Sequence, residues 1–193
     1  MTRRLDEGGF TVPELLVGMV ILAIVLVGFG QVLISTSKTS NRVEEQAMLQ
    51  NDVRSALDRL TGDLREATNA HQTSPVGTAT ATTLTFDSPD RSTPFHLRRI
   101  SYRLSAGRLE RSIVTSTSTG SWPWTFPVLP TAWIPQVTSI QNAAVFTYYD
   151  DMGAVTTVPN AVHSVRVTLS VQPKQAQAPS TTYTDLVTIR TLQ

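Results

Sequence analysis

The sequence predicts an α+β protein, a long N-terminal helix packed on a mostly antiparallel β-rich head. Three observations carry this. From Leu15 to Ser37 there are 23 residues without one charge, enough at 1.5 Å per residue to cross a hydrocarbon core of roughly 30 Å. Val53, Leu57, Leu60, Leu64 and Ala67 then recur at alternating steps of four and three, which marks one apolar stripe on a helix. After His71 the chain turns to Thr, Ser, Val and Pro in short alternating segments.

Bulk composition conceals this division. Over 193 residues the chain is 40% hydrophobic and 16% charged, figures suited to an ordinary soluble protein because a greasy span and a polar head are averaged together. The net charge of +1, from 16 basic and 15 acidic side chains, gives no reason to expect nucleic acid as a partner. The absence of Cys removes disulfides, thiol catalysis and thiolate metal sites.

The first helix is expected to run from Phe10 to Asn69, 60 residues or about 90 Å, as a membrane half and an amphipathic half. The chain thus divides into residues 1–9, 10–37, 38–71 and 72–193. Gly28 and Gly30 read either as bend points or as close-packing positions. Pairs at i,i+4, Arg54 with Asp58 and Arg59 with Asp63, read as a solvated face.

Gln72 to Thr82 reads as a linker. Strands are expected at Thr83–Phe86, Arg98–Leu104, Arg108–Thr115, Val137–Gln141, Ala144–Tyr149, Ala154–Val158, Val162–Val171 and Tyr183–Thr191. Ser105-Ala106-Gly107 and Asp150-Asp151-Met152-Gly153 supply hairpin turns.

No catalytic constellation is found. His71, His96 and His163 lack ligand spacing, and neither a nucleophile elbow nor a phosphate loop is present. No enzyme activity, cofactor or metal is expected, and Asp150-Asp151 reads as a turn.

The junction Asp6-Glu7-Gly8-Gly9-Phe10-Thr11-Val12-Pro13-Glu14-Leu15-Leu16 resembles the type IV prepilin family: a short charged leader ending in Gly, then Phe-Thr-x-x-Glu, then an apolar helix. The resemblance implies cleavage after Gly9 by prepilin peptidase, methylation of the new N-terminal Phe10, and an assembly salt bridge from Glu14 to a neighbouring subunit's α-amine. A carboxylate at the edge of a span needs such a partner. A Thr-x-x-Glu capping box at Thr11 to Glu14 is the alternative. Pro13, where a branched aliphatic is usual, is tolerated in a first helical turn.

Four head segments resemble W-type minor pilins and J-type minor pseudopilins of type II secretion. They are Asp63-Leu64-Arg65-Glu66-Ala67, the strand pair from Ile100 to Arg111, the hairpin from Phe146 to Gly153, and the closing two strands. The resemblance implies an inner-membrane precursor with an extracytoplasmic head, incorporated at or near a filament tip. Its partners would be other minor and major pilins or pseudopilins, the inner-membrane assembly platform and membrane lipid.

Trp122, Trp124, Phe126 and Trp133 lie in one Pro-rich stretch that holds every Trp. It reads as a rigid loop over the sheet or as a partner docking site. Two rival readings remain: a DNA-uptake or adhesive tip subunit using Arg98, Arg99, Arg103, Arg108 and Arg111, and an uncleaved single-pass membrane-anchored sensor or chaperone.

Overall fold

A computed structural model describes residues 11–68, 76–120, 123–127, 132–173 and 179–189. Its elements are helix α1 (Val12–Arg65), strands β1 (Val76–Ala79), β2 (Thr83–Asp90), β3 (His96–Ser105), β4 (Arg108–Thr115), β5 (Ile134–Val137) and β6 (Phe146–Tyr149), a 3-10 turn at Pro159–Ala161, and strands β7 (Ser164–Val171) and β8 (Thr181–Thr188). The strands form a five-stranded sheet, β1-β2-β3-β4-β5, and a three-stranded sheet, β6-β7-β8. Every pairing is antiparallel. The architecture is α+β and pilin-like.

Two compact units divide between Glu45 and Gln46. In the first, side chains from Leu15 to Ile34 stay mostly exposed. In the second, the amphipathic stripe is the core: Val53, Leu60, Leu64 and Ala67 are fully buried and Leu57 nearly so. They pack with Leu84, Phe86, Ile100, Tyr102, Val165, Val167 and Leu169 in one cluster. Ala56 joins the stripe; its small side chain fits where the helix lies close to its neighbours.

The helix stops before its expected end. Its last turn tightens as the Glu66 amide donates to both Gly62 and Asp63 carbonyls, and the Thr68 amide then donates to the Asp87 carbonyl, drawing the chain to β2. Asn69 lies outside the described residues.

Strands β2, β3, β4, β6, β7 and β8 fall where alternation puts them. Three expectations need correction. The linker from Gln72 to Thr82 contains β1, because Val76 and Ala79 bury against β2 although Thr, Ala and Gly signal a loop. The strand expected at Val137–Gln141 is instead Ile134–Val137, which tolerates Pro135 because it is an edge strand. Ala154–Val158 forms only a single bridge, Val155 to Tyr149.

The β3–β4 turn is tighter than expected. Ser105 pairs with Arg108, leaving Ala106 (φ 47°) and Gly107 (φ 69°) as the two turn residues, the signs a hairpin following strand twist requires. At Gly107 a Cβ would lie 3.1 Å from the Ile140 carbonyl, whose residue's amide donates back to Gly107.

Two phenols are locked into this core. Burial pushes the Tyr102 hydroxyl well above its ordinary value, reinforced by the adjacent Asp63 carboxylate, and burial also raises Tyr148. Unfolding frees both to ionise at their ordinary value near 10. Head stability is therefore expected to be insensitive to these groups below pH 10 and to fall above it by about 1.4 kcal/mol per pH unit for each. Denaturant titrations from pH 8 to 11.5 check this, with Tyr148→Phe expected to flatten the slope.

Candidate functional site

Helix α1 begins in the segment that resembles a prepilin junction. Pro13 sits in its first turn, where its fixed φ suits a helix and its missing N–H costs nothing. The Glu14 and Leu15 amides both donate to the Thr11 carbonyl, at 3.0 and 3.1 Å. The capping-box alternative is not formed: neither the Thr11 hydroxyl nor the Glu14 carboxylate makes a hydrogen bond among the described residues. Glu14 is exposed. Gly9 and Phe10 lie outside the described residues.

The apolar stretch after Glu14 buries nothing of its own chain. Leu15, Val20, Ile24 and Leu33 are all more than half exposed, and α1 is long and apolar enough to cross a membrane. A Cβ added at Gly18, Gly28 or Gly30 would meet no atom of the described residues within 4 Å. Thr36 and Thr39 satisfy their hydroxyls on the carbonyls of Val32 and Ser35 one turn back, as suits an apolar setting.

In the head, an ionic cluster missed at the level of sequence ties α1 to the five-stranded sheet. Asp63 receives Arg111 through two hydrogen bonds, Nε to Oδ2 at 2.9 Å and Nη2 to Oδ1 at 3.0 Å, and the Tyr102 hydroxyl donates to Oδ2 at 2.6 Å. The Asp63 and Arg111 side chains are each only 16% exposed. Asp63 thus belongs to the core rather than to a solvated pair with Arg59, which donates instead to Gln136 on β5. The signal lay in two of the quoted segments, Asp63–Ala67 and Ile100–Arg111, which the fold brings face to face.

The opposite face of that sheet carries Arg99, Arg103 and Arg108, while Arg98 shares the helix-facing side with Ile100 and Tyr102. Arg99 makes a two-pronged contact with Asp87, at 2.9 and 3.2 Å, and its guanidinium lies 3.9 Å from the Phe126 ring centroid. Arg103 holds Glu110 at 2.7 Å and stacks on Trp133 at 4.0 Å. Arg98 approaches Glu66 at 3.6 Å. Four of the five arginines considered for DNA are therefore matched by carboxylates; Arg108 alone of them has no acidic partner among the described residues.

The described residues of the Trp- and Pro-rich stretch lie over the face of Arg99 and Arg103 through Phe126 and Trp133. Trp124 meets Phe95 edge to face at 5.6 Å, while Phe126 and Trp133 are clamped under the arginines as described. Thr117 and Thr125 pair through backbone and side chain, which fixes the loop's entry. Trp122 lies outside the described residues. Trp124 Nε1 is buried with no hydrogen-bond partner among them. No three His, Asp or Glu side chains converge as a metal set among the described residues.

Residues 4–30 match the family model described as the prokaryotic N-terminal methylation motif, the motif of type IV pilin-like precursors. It implies processing by prepilin peptidase, membrane anchoring and assembly with other pilins, and the family it defines is structural. No curated protein matches the chain.

Proposed function

We propose that this chain is a minor pilin or pseudopilin, made as an inner-membrane precursor with an extracytoplasmic head. It is cut after Gly9, methylated at Phe10 and incorporated at or near the tip of a type IV pilus or type II secretion pseudopilus. One observation carries this reading: the methylation motif is continuous with an apolar helical stretch that buries nothing within its own chain. Such a surface is costly in water and finds cover in lipid before assembly and among other subunits' helices afterwards.

The minor-subunit assignment is supported by the four head segments. Two of them meet in the Asp63–Arg111–Tyr102 cluster, which gives that local pattern a structural purpose. Trp124, Phe126 and Trp133 are half-buried on a braced loop, and they are the candidate contact for another minor subunit, to which the sequence adds Trp122.

Processing is the direct test. Mass spectrometry of the membrane-extracted protein is expected to show a chain beginning at N-methylated Phe10 in cells with prepilin peptidase and an intact leader in cells without it. An intact leader in both would sink the assignment and favour an uncleaved anchor.

A further inference from the structure

Two backbone edges beside the three-stranded sheet, that of β8 and the outer side of Ala154–Val158, have no ladder partner among the described residues. We propose that the segment Ala154–Val158 of one copy docks against the β8 edge of a second copy, so that this sheet continues from head to head. The inference rests on head geometry alone and does not depend on where in a filament the chain sits.

Sheet edges invite strand addition unless something guards them. Strand β1 is four residues long with a register shift between Val76 and Thr78. Strand β5 is equally short, contains Pro135 and has its own register shift. The edge of β6 is already used, the Phe146 amide donating to Ala81 and the Tyr148 carbonyl accepting from Thr156.

Strand β8 is different. It runs eight residues, Thr181–Thr188, in unbroken register with β7 and without Pro or Lys. The Ile189 amide donates to His163, and alternation then turns the N–H and C=O groups of Thr182, Thr184, Leu186 and Thr188 outward. Of these amides, that of Leu186 is occupied by Asp185 Oδ1 at 2.9 Å.

The complementary element is the segment whose alternation predicts a strand that the monomer does not complete. Thr156 donates to β6, which leaves the backbone groups of Val155 and Thr157 on the outer side. Met152, Val155 and Val158 are 89%, 68% and 57% exposed, three apolar side chains left to solvent along this segment and its turn.

Charge fits as well. Asp150 and Asp151 precede this segment, and the β8 edge borders a groove of about 470 Å³ lined by Arg65, Leu186, Val187 and Thr188. Arg65 has no acidic partner among the described residues, and Leu186 is 53% exposed. Both elements sit at the same end of the sheet, since Val155 bridges Tyr149, Tyr149 pairs with Ser164, and Ser164 pairs with Thr188. They lie on its opposite lateral edges, about 14 Å apart at strand spacing. Opposite edges of one sheet give a heterologous, head-to-tail contact.

The absence of Cys makes disulfide trapping clean. Full-length Val155→Cys is co-expressed with a differently tagged chain bearing Thr184→Cys, Leu186→Cys or Thr188→Cys, and the membranes are oxidised. Three strand spacings exceed disulfide reach within one chain. A mixed-tag dimer is expected with at least one of the three. It is expected to disappear when Thr184→Pro, or Thr182→Pro where position 184 carries the Cys, is added to the β8 partner, because both amides face outward and the β7 ladder is spared. It should also fall at least tenfold with Asp151→Arg, and return when Arg65→Glu is placed on the β8 partner. No dimer at any of the three positions, or a dimer indifferent to Asp151→Arg, overturns the proposal. Asp151 lies in an exposed turn, so its variant decides the matter even if the proline disturbs the strand.

Discussion

Glu14→Ala is expected to leave cleavage after Gly9 intact and to abolish incorporation into filaments. The Glu14 carboxylate stands in the first turn of α1, is exposed, and has no partner among the described residues, while the apolar span begins with the next residue. At the centre of a membrane helix an acidic side chain costs roughly 2.5–3.5 kcal/mol, and less near an end. Within a bundle of apolar helices the charge therefore needs a cation, and the proposed cleavage would supply one in the α-amine of Phe10 on a neighbouring subunit. If that pairing contributes about 2 kcal/mol, its loss lowers incorporation roughly thirtyfold.

Glu14→Gln separates this account from helix capping. Glutamine retains the capping capacity of Glu but not its charge, so it is expected to fail as completely as alanine. Shearing filaments from cells and comparing the assembled with the membrane-retained fraction reads the effect. Wild-type incorporation by the Gln variant would exclude the ion pair.

Asp63→Ala is expected to lower head stability by about 3 kcal/mol, toward the low end of the range for breaking a buried ion pair. The substitution leaves Arg111 mostly buried without a counter-charge and takes the acceptor from the Tyr102 hydroxyl. For a domain of this size such a loss lowers Tm by about 6–12 °C. The double variant Asp63→Ala with Arg111→Met is expected to recover part of the deficit, because most of the penalty comes from the stranded charge rather than from the lost attraction. Thermal melts of the detergent-solubilised full chain measure both. A loss below about 1 kcal/mol for Asp63→Ala would rank the pair with ordinary surface bridges.

Periodicity made much of the architecture legible. The residues of the helical stripe, chosen at steps of three and four, are the ones the head buries, since a helix on a sheet has only one stripe to hide. The β3–β4 hairpin was equally plain, because a Gly placed between two alternating segments leaves few other geometries. Where reading failed, the deciding contact was remote. Val76–Ala79 looks like linker until β2 offers it a partner, and Ala154–Val158 looks like a strand but gains one bridge. Asp63 sits at helical spacing from Arg59, and only the approach of β3 and β4 shows that Arg111 and Tyr102 claim it instead.

By itself, the sequence determined the N-terminal junction, the apolar span and the helix-on-sheet class, all of which depend on residues near one another in the chain. The tertiary structure decided which charges are paired, which strand edges are guarded and where the aromatic loop lies. Those outcomes depend on groups separated by tens of residues, as with Asp63 and Arg111, and local spacing carries no information about which distant side chain will arrive with the opposite charge.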